Sequence, residues 1–188
     1  RSDWVSSYLD SGAVVHGGIG LLTKDTIRKP AYFAFEFLNR LGSTVIASGD
    51  GYILTRSESG NYYLLCSHFV PFGAGQYPVN ADDKPDLSVL RFEGHPSEVL
   101  RFRLTGIADQ GYYIVKRRIL SSSSGSILDE WENFQFSEDL TADDVRYLRE
   151  RCIPQIRMQK QYVGIDEELS FDVEMRPEDV VLLHICRE

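Results

Sequence analysis

The sequence predicts a mainly β protein: an antiparallel β-sandwich carrying an N-terminal loop-helix remnant of a TIM barrel and one further short helix. Three observations lead there. From residue 44 onwards, about eight short β-rich runs recur at hairpin spacing. Strands and helices do not alternate in a βαβ rhythm, which argues against a parallel sheet. Residues 16–42 break the pattern by joining a glycine loop to an aromatic helix, as a β/α unit cut from a barrel would. The expected division is 1–43 for the barrel remnant and 44–188 for the sandwich.

Taken in order, Trp4, Tyr8 and Leu9 precede the small residues Ser11, Gly12 and Ala13, a pattern suited to a loop leading into His16. Pro30 suits the first turn of a helix, where a missing N–H costs nothing. Gly42 is expected to cap that helix in the left-handed conformation. Phe33, Phe37 and Leu41 form one stripe with Ala34, Leu38 and Tyr32 beside it, while Phe35 points elsewhere. A helix apolar on two sides is expected to lie between layers. Strands are expected at 44–47, 52–56 and 62–69, with turns at 48–51 and 58–61 between them. Residues 70–97 are rich in Pro and Gly and read as a long loop. Strands resume at 99–105, with Leu100, Phe102 and Leu104 alternating with Arg101 and Arg103, and at 112–120.

Residues 121–126 read as a flexible Ser/Gly linker. Asp129, Trp131 and Phe134 then suit a helical turn. A second clear helix at 141–152 has Thr141 as N-cap, Asp143 and Asp144 in its first turn and Arg149 and Arg151 in its last. Val145 and Leu148 mark its buried side, and Pro154 ends it. Strands at 156–163, 169–175 and 180–185 complete the set; in the middle one Leu169, Phe171, Val173 and Met175 alternate with Ser170, Asp172 and Glu174.

The 188 residues can bury one good core, and 43% apolar content fits a globular chain. No apolar run approaches the roughly 20 residues that span a bilayer, so no membrane partner is expected. A net charge of −8 opposes binding to a phosphate backbone, so no nucleic acid is expected on this chain. Cys66, Cys152 and Cys186 are an odd number without CxxC spacing; they read as free thiols of a reducing, cytoplasmic compartment. There is no initiator Met and no signal-peptide pattern, so the chain is expected to be a piece of a longer protein.

The run His16-Gly17-Gly18-Ile19-Gly20-Leu21-Leu22, followed by Lys29-Pro30-Ala31-Tyr32 and Phe37-Leu38-Asn39-Arg40-Leu41-Gly42, closely resembles the end of the catalytic barrel in glycoside hydrolase family 39, the β-xylosidase and α-iduronidase family. The resemblance makes the first segment the loop after the eighth barrel strand and the rest the eighth barrel helix, with Ser2-Asp3 at that strand's exit. Residues 125–140, with Asp129 and Trp131, and residues 148–154 resemble segments of the same family's C-terminal β-sandwich. Residues 20–42 and 147–154 are also similar to AraC-type bacterial transcriptional regulators in which a family 39-like domain is fused to a helix-turn-helix domain.

Retaining glycosidases use two carboxylates about 5–5.5 Å apart. The resemblance puts both glutamates upstream of Arg1, so no catalytic residue, cofactor or metal is expected in this chain. Asp3, His16, Gly17 and Gly18 are the candidate rim of a sugar site: a loop at the C-terminal face of a barrel is where such sites form, and glycines let backbone approach a ligand. The alternative is that His16 and Asp3 only brace the loop. Where the family often has acidic residues after Ser-Asp, this chain has Ser6 and Ser7, which favours a regulator as parent over a xylosidase.

His68, His95 and His184 are scattered, and Asp166, Glu167 and Glu168 lack EF-hand spacing. Trp131, Tyr112, Tyr113, Tyr62 and Tyr63 can stack on sugars, although adjacent strand tyrosines face opposite ways. Arg101, Arg103, Lys116, Arg117 and Arg118 form either an acidic-partner patch or a solvated sheet face. Three functions compete: an accessory module of a family 39 enzyme, a sugar-sensing domain of an AraC-type regulator, and a carbohydrate-binding sandwich. The expected partners are the missing barrel, through the helix at 31–41, and in the parent a xylo-oligosaccharide or similar sugar. Self-association through the uncovered helix side is expected as well.

Overall fold

The computed structural model describes residues 14, 20–70, 96–107, 110–121, 123–165 and 168–188, with only the backbone described at 128, 129 and 132. Three helices and eight strands occur among the described residues. They run α1 (Pro30–Asn39), β1 (Thr44–Gly49), β2 (Tyr52–Arg56), β3 (Tyr62–Ser67), β4 (Glu98–Leu104), β5 (Gly111–Leu120), α2 (Ile127–Asn133), α3 (Ala142–Arg151), β6 (Gln155–Val163), β7 (Leu169–Met175) and β8 (Val180–Arg187). All eight predicted strands are present, and no barrel occurs among the described residues.

Two compact units share the chain. One comprises residues 1–35, 70–95 and 120–154, the other 36–69, 96–119 and 155–188. The second is the sandwich. Its large sheet has the order β1-β2-β3-β8-β5-β6, and β4 and β7 form a two-stranded sheet. β7 shows why the layers face each other: Leu169, Phe171, Val173 and Met175 are buried, and the residues between them are exposed. A side-chain period of two gives such a strand one apolar face. Those residues and Leu104 share a core with Leu64, Val115, Leu183 and Ile185 of the large sheet. Tyr52 of β2 meets Phe102 of β4 edge to face, with ring centroids 5.3 Å apart.

The other unit has its own core of Val14, Ile27, Ile127, Trp131, Leu148 and Cys152. The helical turn expected around Trp131 is the seven-residue helix α2. The Trp131 indole N–H donates to the Ser137 carbonyl at 3.0 Å, which satisfies its one polar atom. α3 begins as predicted. The Thr141 hydroxyl accepts from the Asp144 N–H, and the Asp144 carboxylate accepts from the Thr141 N–H at 2.8 Å and from its hydroxyl at 2.6 Å. These bonds hold the Asp144 carboxyl below its ordinary range.

Two expectations are corrected. The stretch expected as a loose linker is tied at its described residues, 121 and 123–126: Ser121 and Ser124 exchange backbone hydrogen bonds of 2.9 and 3.2 Å, and Ser126 is buried. Gly125 turns the chain at φ 85°, where a Cβ would sit 2.6 Å from Leu120. Gly42, in turn, is not a left-handed cap, since its φ lies outside that region. α1 closes instead by tight turns, with the Arg40 and Leu41 N–H groups donating to Phe37 and Leu38 carbonyls. Glycine is required because a Cβ at 42 would lie 2.3 Å from the Arg56 carbonyl carbon.

On α1, Phe33 and Phe37 are buried, while Phe35 is 56% and Leu38 50% exposed, so the helix is apolar on two sides. Replacing Gly42 by Ala is expected to cost about 2 kcal/mol or more through backbone displacement. A lowered urea midpoint at unchanged slope is the measurement; an unchanged midpoint would contradict the close approach.

Candidate functional site

Asp3, His16, Gly17 and Gly18 lie outside the described residues, and so does His95. The ground on both sides of residues 15–19 is described. On the near side Val14 is fully buried, and its N–H donates to the Glu138 carboxylate at 2.6 Å. A charge-assisted bond to a buried residue fixes the chain two positions before His16.

On the far side a small hairpin closes on itself. Leu22 bridges Arg28, the Lys29 N–H donates to the Leu21 carbonyl at 2.9 Å, and the Thr23 N–H donates to the Ile27 carbonyl at 2.9 Å. The buried Thr23 hydroxyl accepts from the Ile27 N–H at 3.2 Å. Thr26 sits at φ 60°, an uncommon conformation for a β-branched residue. Arg149 of α3 holds it there by donating to the Asp25 carbonyl at 2.7 Å and to the Thr26 hydroxyl. Glu130 of α2 receives Arg151 at 2.8 Å and the Tyr147 hydroxyl at 3.1 Å, which joins α2 to α3. The described segments on both sides of residues 15–19 are therefore each held by a long-range partner. Glu138 and Arg149 are the residues that sequence reasoning missed in this role, because each acts on a segment more than a hundred positions away.

The other sequence candidates are structural or dispersed. Trp131 and Tyr113 are buried, and Tyr62 and Tyr63 are half-buried. Tyr112 is 50% exposed, but its ring meets Tyr162 at 66°, and the Lys160 ammonium lies 4.4 Å over it. Neither feature suits a flat sugar platform. The basic group is split by strand alternation. Arg101 and Arg103 pair with Asp172 and Glu168 on β4's exposed side. On β5, Arg117 points to the opposite side from Lys116 and Arg118 and donates to the Asp172 carbonyl at 2.9 Å.

His68 belongs to the β7–β8 junction. Its N–H donates to the Asp179 carbonyl at 3.1 Å, and its carbonyl accepts from the Glu178 N–H at 2.7 Å. The Asp179 carboxylate accepts from the Arg176 N–H at 2.9 Å, and burial pushes its pKa up. His184 stacks on Tyr63 at 4.7 Å, and its Nε2 is buried without a hydrogen-bond partner. Burial, then the charges of Arg118, Lys116 and Arg40, hold its pKa below the ordinary histidine range. Burial pushes the Cys66 thiol up to about 12, which makes it inert. Among the described residues no group of three or more His, Cys, Asp or Glu is placed to hold a metal, and no helix is long and apolar enough to cross a membrane.

No protein-family model matches the chain. The crystal structure of the GH39 enzyme from Xanthomonas axonopodis pv. citri superposes with a TM-score of 0.74 at 24% identity, over 94% of this chain and 34% of that one. A monomeric beta-xylosidase from Caulobacter crescentus CB15 gives 0.73 at 22%, over 93% and 34%. These likenesses establish the fold. Among curated proteins, an uncharacterized HTH-type transcriptional regulator of Staphylococcus aureus (strain N315) is 21% identical over 162 residues, 85% of this chain. A counterpart from strain COL is 20% identical over the same share. The chain spans 20% of the length of each of these regulators.

Two outcomes follow from the site. Glu138→Ala should cost about 1–2 kcal/mol and speed hydrogen exchange at Val14, as read by mass spectrometry; unchanged exchange there would remove Glu138 as the anchor. For His184, a folded pKa below the unfolded value gives stability that is complete above about pH 6.5 and is lost as pH falls through the lowered value. The chain should therefore lose more stability between about pH 7.5 and about pH 5 than its His184→Gln variant does. Parallel losses in the two proteins would count against it.

Proposed function

We propose that this chain is the non-catalytic β-sandwich module of a glycoside hydrolase family 39-like protein, and that its parent is a sugar-responsive regulator of the helix-turn-helix class. The observation that carries this reading is α1. Phe33 and Phe37 are buried on one side while Phe35 and Leu38 stand exposed on the other. Exposed apolar side chains on a helix already buried elsewhere suit a second layer. In the fold neighbours, this chain's match covers about a third of the protein, which leaves room for a barrel as that layer. The loop at Asp3, His16, Gly17 and Gly18 would then rim the barrel's sugar site, with Glu138 and Arg149 bracing its shoulders.

The regulator assignment draws on the curated relatives, and on Ser6 and Ser7 standing where acidic sugar contacts would be expected. A second reading, the accessory module of an active β-xylosidase, draws on the fold match over nearly the whole chain. The two separate on the intact parent. A regulator binds DNA in a manner that responds to xylo-oligosaccharide; a xylosidase releases nitrophenol from an aryl xyloside. This chain alone should release none, since the family resemblance places both catalytic glutamates upstream of Arg1.

The bracing role has its own test. Replacing Phe35 and Leu38 by Ser should shift the stability of this chain by about 0.5 kcal/mol or less. In the parent the same pair of changes should cost on the order of 3 kcal/mol. Equal effects in the two contexts would sink the layered arrangement.

A further inference from the structure

The large sheet ends in two unlike edges. β1 has six residues, and its pairing with β2 slips between Val45 and Ala47. A short, bulged edge resists further pairing. β6 has nine residues and pairs with β5 without a slip, from Gly111–Val163 to Ile119–Gln155. Its other flank pairs with no described strand. Along one face of it run Ile156, Met158, Lys160 and Tyr162, of which Ile156 is 57%, Met158 67% and Tyr162 54% exposed. A long, regular edge strand that exposes three large apolar side chains on one face is one that natural sheets usually blunt.

We propose that β6 is a self-pairing edge: it binds β6 of a second copy of this chain, antiparallel, about a two-fold axis at Gln159. The strand's own residues select that centre. A two-fold axis normal to a sheet puts one residue opposite itself, because paired residues must point to the same face. Centring on Arg157 or on Lys160 sets like charges face to face, which is destabilising. Centring on Met158 sets Tyr162 against Pro154, which has no N–H to give. Centring on Gln159 uses the whole strand. Ile156 then meets Tyr162, Arg157 meets Gln161 and Met158 meets Lys160, each pair occurring twice. Pairing a β-branched residue with an aromatic one is among the favourable cross-strand pairs.

On this arrangement Arg157 and Lys160 guard against the alignments centred on themselves, Pro154 disfavours the one centred on Met158, and the Gln159 centre pairs all nine residues. At this register a second copy meets the strand with no like charges directly opposite each other. The pairing rests on the residues of this strand. It stands on β6 alone and does not depend on the parent being a regulator, although two-fold pairing is what helix-turn-helix proteins use on paired half-sites.

Sedimentation equilibrium of the 188-residue chain should show a reversible dimer. Gln159→Lys, which opposes two ammonium groups on the axis, should raise the dissociation constant about tenfold or more. Gln161→Glu, which places a carboxylate opposite Arg157 of the second copy at two points, should lower it several-fold. Circular dichroism checks that both exposed variants keep the fold. A chain that stays monomeric at every concentration, or a dimer indifferent to Gln159→Lys, would overturn the proposal.

Discussion

The C-terminal half of α1 is placed by the contact of one backbone with another. Gly42 lies so near Arg56 that a single added carbon would meet its carbonyl at 2.3 Å. The Gly42 N–H donates to the Thr55 hydroxyl at 2.8 Å, and that hydroxyl reaches the Tyr63 carbonyl at 3.3 Å. The helix exit is thereby tied across β2 to β3 on one face of the large sheet. Thr55 is 1% exposed, so these bonds are sheltered from competing water. With the exit fixed, Arg40 is brought near Arg118 and His184, with Glu36 receiving it at 2.6 Å. The depressed imidazole, the clustered cations and the buried Phe37 all follow from where the helix leaves.

Much of the fold is legible in the sequence because its signals are local. The alternation in 169–175 announces a strand with one buried face, and Thr141 with Asp144 announces a helix start. What was not legible depends on distance along the chain. Nothing near β8 says that it lies between β3 and β5, or that β4 and β7 pair apart from the rest. Gly42 illustrates the ambiguity of a single residue: a glycine after a helix reads as a cap, but here the reason is a strand fourteen positions on. The serine run misled in another way. Composition suggested freedom, while two short backbone bonds and a buried Gly125 make it a compact turn.

The candidate site divides along the same line. His16, Gly17 and Gly18 stand out by their pattern, whereas Glu138 and Arg149 look like ordinary surface charges until their partners are known. The loop residues would face a ligand, and the anchors would fix the angle at which the loop is presented.

The Val14–Glu138 bond also sets an order of assembly. Its two ends are 124 positions apart, so a ribosome adding about 5–20 residues per second finishes the second on the order of ten seconds after the first. Through most of that interval Val14 waits without its anchor, and the α2 and α3 residues that close the core around Val14 and Ile27 have yet to be made. Val14 is thus made well before the residue that anchors it. A stop codon anywhere before Glu138 would yield a polypeptide that contains the loop but lacks this anchor to hold it.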